Sequence, residues 1–167
     1  AGDTSGGLPA AEHNERGLSL AVRDDGVRKA IAAMEGTIDA DMATAAWESA
    51  LHLPEWEHES VWFHGDMLPG NLLFKEGRLH AVIDFGGLAI GDPACDLMIA
   101  WGLFAGESRK HFRDMLHLDD ATWLRGRGHA LAQAHVFAPY YMDTNPLGVA
   151  VALHTISQVL DDFRANG

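Results

Sequence analysis

The chain has 167 residues, 47% of them apolar, and a formal net charge of −12 from 24 acidic against 12 basic side chains. That length suits one globular domain with one real core, and the negative field repels nucleic-acid phosphates and anionic lipid while favouring cationic ligands. The single cysteine, Cys95, cannot form an internal disulfide, and neither a signal-peptide pattern nor a run of about 20 apolar residues occurs, so a cytoplasmic protein without nucleic-acid or membrane partners is expected.

Residues 1–20 are rich in Gly, Pro, Ser and charge without helical periodicity, and read as an extended or mobile lead-in to a domain over 21–167. Asp24 or Asp25 can cap a first helix, with Val27, Ile31 and Met34 at helical spacing and Gly36 at its end. A second helix is predicted from Asp39 to Leu51. PEWEHES then makes an acidic loop, and VWFH reads as a short buried strand. NLLFKEGRLHAVIDF has the form of a hairpin turning at Glu76 and Gly77.

Beyond the hairpin the pattern is helical. Asp92 and Pro93 suit the cap and first position of a helix through about Phe104, with Leu97, Trp101 and Phe104 on one stripe. Further helices are predicted over 107–116, 119–138 and 146–164, the last with Val149, Leu153, Ile156 and Leu160 in register. RGRG at 125–128 reads as a helix surface and a close-packing site. The fold class is α+β, a mostly helical lobe around one small central β-hairpin.

The chemistry-bearing stretch is HGDMLPGN, residues 64–71, followed by IDFGG at 83–87. Pro69 and Gly70 bend the chain between Asp66 and Asn71, so that a carboxylate and a carboxamide can face one small volume, and a hairpin returns Asp84 towards it. Hard oxygen ligands from one or two side chains are what Mg²⁺ on a polyphosphate takes, and a neighbouring carboxylate can accept a proton from an attacking hydroxyl. Singly, Asp and Asn at such points serve turns; their joint spacing favours a site. A zinc-hydrolase reading with His64, Asp66, Asp84 and His80 as ligands has no HExxH and no Cys pair behind it.

HGDMLPGN resembles the HGDxxxxN loop of the aminoglycoside phosphotransferase and choline kinase superfamily, relatives of protein kinases that phosphorylate small molecules. IDFGG is similar to the kinase DFG segment, and GDPACDLMIAW to the stretch that follows it in that family. The likeness covers residues 17 to about 164 and is most specific over 61–101. It implies the C-terminal lobe of a kinase-like fold and transfer of the ATP γ-phosphate to a small-molecule hydroxyl. On that resemblance Asp66 is the catalytic base, Asn71 and Asp84 hold Mg²⁺ on ATP, and His64 and Asp96 support the loop. The family binds polycationic aminoglycosides with carboxylates, so Asp143 with Tyr140 in PYYMDTNP is a candidate for the acceptor; a helix-ending turn before Pro146 explains the same residues without a ligand.

One part of the pattern is missing. Lys29 and Lys110 fall on predicted helices and Lys75 at the hairpin turn, and no GxxxxGK stretch occurs, so nothing matches the phosphate-gripping lysine and loop of a kinase N-terminal lobe. The expectation is therefore a substrate-side lobe, without its nucleotide lobe and inactive as this piece alone. An apolar face left where that lobe sits could pair two copies as a homodimer. The alternatives are a kinase for a macrolide, a choline-like amine, an amino alcohol or a sugar, or a non-catalytic binding or assembly module. Antibiotic resistance is one role the aminoglycoside reading allows.

Overall fold

Two long helices near the end of the chain make the frame on which the rest is arranged. In the computed structural model, which describes residues 17–166, α1 (Asp24–Ala33) and α2 (Ala40–Leu51) precede the strands. The short α3 (Ile99–Gly102), α4 (Gly106–Leu116), α5 (Asp120–Tyr141) and α6 (Pro146–Asn166) follow them. Helix α5 lies along α6 and also meets α1, α2 and a 3₁₀ segment, Pro93–Met98. The core gathers where they meet, around Trp47, Trp101, Leu131, Ile156 and Val159, all fully buried. The predicted stripe of Val27, Ile31 and Met34 faces this core, as do Val149, Ile156 and Leu160 of α6.

Among the described residues the strands form two antiparallel pairs. β2 (Leu72–Lys75) and β3 (Arg78–Val82) are the predicted hairpin, closed by Glu76 and Gly77, both with positive φ as a two-residue type I′ turn requires. β1 (Val61–Phe63) pairs with β4 (Ala89–Gly91), setting Phe63 opposite Ala89. The mostly helical α+β architecture is the expected one.

Several local expectations need correction. Most of the expected lead-in lies outside the described residues, but Leu20 opens a 3₁₀ segment, Leu20–Arg23, and is buried in the core. Asp24 does not cap α1 with its side chain. It accepts hydrogen bonds from the Trp47 indole and the Arg28 guanidinium, both at 2.8 Å, and so ties α1 to α2. VWFH is only half buried, because a two-stranded ribbon has few neighbours: Val61 and Trp62 are exposed and Phe63 is not.

The helix expected from Pro93 to Phe104 is a 3₁₀ segment followed by the single turn of α3. The side chain of Arg109 ends it, donating 2.9 Å hydrogen bonds to the carbonyls of Ala100 and Phe104. RGRG is not a surface. Arg125 is buried and donates to the Asp92 carboxylate at 2.7 Å and to the Pro54 carbonyl at 2.9 Å, while Arg127 pairs with Asp162. The close-packing half of the expectation holds, since a Cβ on Gly126 would come within 2.5 Å of Leu97 Cβ. Asp92 also caps Pro93–Met98 through the Ala94 amide at 2.9 Å, so one carboxylate locks that segment to α5. Removing either partner of this buried pair would leave an uncompensated charge in the core.

His129, buried on α5, has its pKa lowered to about 4, first by burial and then by the charges of Arg23 and Arg125, with Asp92 opposing them. The unfolded chain takes up this proton near pH 6.5 and the folded chain only near 4, so the unfolded state binds more protons between those values. Stability should therefore fall as the pH is lowered through that window, by up to roughly 3 kcal/mol from this residue. Urea unfolding at a series of pH values, repeated on His129→Leu, checks it: the variant should lose that part of the slope.

Candidate active site

The site begins with two backbone amides and one carboxylate. Where β1 ends, the His64 amide donates to Asp96 Oδ2 at 2.7 Å and the Gly65 amide to Asp96 Oδ1 at 2.8 Å. Both oxygens of one carboxylate are thus used by consecutive amides, an arrangement stronger than neutral hydrogen bonds. The β1–β4 pairing and the cap at Asp92 bring the 93–98 segment under the loop, so the contact follows from elements on both sides.

His64 is buried, and both ring nitrogens are engaged: Nε2 donates to the Ile83 carbonyl at 2.9 Å and Nδ1 accepts from the Asp66 amide at 3.2 Å. One imidazole therefore joins the loop to the strand end that precedes Asp84, and it is not available as a metal ligand. Its ring also lies 4.7 Å from that of Phe85, centroid to centroid. Among the described residues no three His, Cys, Asp or Glu side chains are grouped to hold a metal, which removes the geometric basis of the zinc-hydrolase reading.

Gly65 has φ +80°, where L side chains are strained, and a Cβ there would fall 2.2 Å from the Gly87 carbonyl oxygen. The two glycines thus let the HGD loop and the DFGG segment touch backbone to backbone. A 3₁₀ turn, Pro69–Asn71, then reverses the chain, and Asn71 Nδ2 donates to the Asp66 carbonyl at 2.8 Å and to Asp66 Oδ2 at 3.1 Å. Both amide protons of Asn71 point back to Asp66, which turns its Oδ1 the other way.

Hairpin register does the rest. Leu72 pairs with Val82, and the Ile83 amide donates to the Asn71 carbonyl at 2.9 Å, so Asp84 emerges beside Asn71. Asp84 has φ 61°, a left-handed conformation that Asp tolerates better than most residues. Its carboxylate makes no hydrogen bond or ion pair among the described residues and is exposed. An uncompensated carboxylate next to a carboxamide oxygen is a hard-oxygen donor set, and it fits a magnesium ion that keeps most of its waters.

Asp66, Asn71 and Asp84 line one cleft of about 500 Å³. Its far wall is made by α5 and α6, including Ala134, Phe137, Leu147 and Val151. His64 and Asp96 sit behind the loop and do not line the cleft; nor do Asp143 and Tyr140. Tyr140 is mostly exposed, at 78%, and its ring stands edge-on to Tyr141, past the end of the wall. Gln133 and Asn145 do line it and belong to no motif in the sequence, although Gln133 lies at helical spacing from Ala130 and Phe137 on one face of α5. None of Lys29, Lys75 and Lys110 lines the cleft.

With this geometry in view, the sequence matches the phosphotransferase enzyme family, APH, over residues 6–131. It is 40% identical over 55 residues to the aminoglycoside 3′-phosphotransferases of Escherichia coli and Salmonella typhimurium. That stretch is 33% of this chain but 20% of either relative, so the chain matches a fifth of the length of these curated proteins. A solved structure, the streptomycin–ATP–APH(2″)-IIa ternary complex, aligns over 86% of this chain and 51% of its own, with a TM-score of 0.45 and 21% identity.

Gly65→Ala is expected to cost at least about 2 kcal/mol, since it combines a left-handed backbone with a backbone clash. Comparison of urea midpoints with the wild type checks this, with Gly70→Ala, where a Cβ meets nothing within 4 Å, as the neutral reference.

Proposed function

This chain belongs to the APH phosphotransferase enzyme family, and from that premise we propose that it is the substrate-side lobe of an ATP-dependent kinase that phosphorylates a hydroxyl of a small molecule. The observation that carries the reading is the shared cleft: Asp66, Asn71 and Asp84 border the same volume from which a wall of helix rises opposite. Asp66 is the base that accepts the acceptor's hydroxyl proton as the oxygen attacks. Asn71 Nδ2 donates to the main-chain carbonyl of Asp66 and to its Oδ2, which holds the residue in place and leaves Asn71 Oδ1 and the Asp84 carboxylate as the groups that would hold Mg²⁺.

Bound Mg²⁺–ATP would supply the transferable phosphoryl group and neutralise charge on its oxygens. The chain's own contribution is alignment, which is where most of the rate of phosphoryl transfer comes from. His64 and Asp96 are positioning residues behind the loop. The names of the curated relatives make an aminoglycoside the first acceptor to try, with resistance as the corresponding role, in the cytoplasm where ATP is held.

The groups that grip the nucleotide phosphates come, in this reading, from a lobe outside the described residues, because none of the three lysines reaches the cleft. An exposed apolar face supports it: Phe74, Leu79 and Phe85 are each more than half exposed on the hairpin and the DFGG turn, with Trp62 on β1. Covering such a face with another lobe, or with a second copy of the same one, removes apolar surface from water.

Asp66→Ala in the protein as encoded should lower kcat by roughly 10²- to 10⁴-fold, with a much smaller change in the KM for the acceptor. A coupled assay of ATP consumption over a panel of aminoglycosides, macrolides and amino alcohols measures both constants.

A further inference from the structure

The turn that carries Asn71 is shaped by its own hydrogen bonds but seated by something else. Within it, the Leu68 amide donates to the Asp66 carbonyl at 2.8 Å and the Asn71 amide to the Leu68 carbonyl at 3.0 Å. These bonds fix the curl of the chain, and they do not fix how far the turn stands from the helices. The end of α3 meets it from the helical side. A Cβ on Gly102 would lie 3.3 Å from Pro69 Cδ, 3.4 Å from Pro69 Cγ and 3.5 Å from Thr155 Oγ1 on α6.

Gly102 is not required by its backbone, since it closes α3 with a negative φ, where alanine is the better helix former. What glycine supplies there is room, and the Pro69 ring occupies it. A proline ring has no rotamer by which to step aside. The platform beneath is also fixed. Arg109 donates to the Ala100 and Phe104 carbonyls on either side of Gly102 and to the Gln158 side chain of α6. Thr155 Oγ1 is itself engaged, donating to the Val151 carbonyl at 2.9 Å. A side chain at 102 therefore displaces Pro69 rather than the helices.

Resting on the phosphotransferase reading, we propose that Gly102 is a positioning residue for phosphoryl transfer: its missing side chain seats the Pro69 ring and so sets the height at which the turn holds Asn71 and Asp66 in the cleft. Pro69 and Asn71 line that cleft and Gly102 does not, so Gly102 acts only through the turn. Because Asn71 Nδ2 donates to Asp66 Oδ2 at 3.1 Å, lifting the turn moves the base and the metal-holding carboxamide together. A reaction that depends on alignment loses rate on such a displacement, while every group that could bind the acceptor is still present.

Steady-state kinetics of the protein as encoded, with Mg²⁺–ATP and the acceptor panel above, test this on Gly102→Ala, Gly102→Val, Pro69→Ala and the double variants. In Gly102→Ala kcat should fall roughly three- to tenfold, and further in Gly102→Val, with the acceptor KM within about twofold of wild type. Pro69→Ala removes the ring carbons that a side chain at 102 would strike. In that background, the same changes at 102 should lower kcat by less than about twofold. The Asn71 side-chain NH₂ signals in ¹H–¹⁵N spectra need no turnover: they should move in Gly102→Ala and keep the Pro69→Ala positions in the double variant. Wild-type kcat in Gly102→Ala, a loss carried by KM alone, or an equal loss with and without the Pro69 ring would overturn the proposal. Wild-type protein that transfers no phosphate to any acceptor contradicts the phosphotransferase reading instead. The Asn71 signals then decide the seat, and signals that stay unmoved, or move equally in both backgrounds, refute it.

Discussion

Everything at the cleft hangs on one carboxylate. Asp96 takes the amides of His64 and Gly65 on its two oxygens, and without it the chain leaving β1 would have two buried donors with nowhere to go. A backbone N–H left unpaired in such a place costs about as much as a lost hydrogen bond, and a charged acceptor raises the stake. The loop is therefore held at its root, before the residues that reach the cleft begin. Asp96 is itself held, because the segment that carries it starts at Asp92 and is fixed to α5 by Arg125. A chain of buried polar contacts thus runs from the helical frame to the rim of the cleft.

From that root the geometry propagates by contact of short pieces. Gly65 against Gly87 allows the HGD loop and the DFGG turn to lie together, and the His64 imidazole bridges them a second time. Asn71 closes the loop on Asp66, and the hairpin register returns Asp84 to its side. Asp66, Asn71 and Asp84, from two segments, are brought to one cleft without any of them belonging to a long regular element. The helices supply something different, the wall that faces Asp66, Asn71 and Asp84 across the cleft.

Much of this was legible in the sequence because it rests on local rules. A two-residue Glu76–Gly77 turn between apolar runs specifies the hairpin, and the hairpin specifies that Asn71 and Asp84 meet. Asp96, which the family resemblance marks as a support of the loop, takes the amides of His64 and Gly65. What escaped depended on partners far along the chain. Arg125 and Arg127 look like surface until Asp92 and Asp162, more than thirty residues away in opposite directions, are brought to them. The early end of the helix after Pro93 depends on Arg109, a side chain beyond that helix. Strand β4 is three residues long and carries no alternation to see. Tyr140 and Asp143 attracted notice by type, but periodicity could not say that Gln133 and Asn145, rather than they, line the cleft.

Amide hydrogen exchange at His64 and Gly65, in wild type and in Asp96→Asn, tests the role of this carboxylate most directly. The carboxamide keeps one acceptor oxygen but turns an NH₂ towards the other donor, so exchange at one or both of these amides should accelerate by roughly ten- to a hundredfold, while the hairpin amides of β2 and β3 keep their wild-type rates. Unchanged exchange at both positions in a folded Asp96→Asn protein would contradict the claim that Asp96 holds the loop.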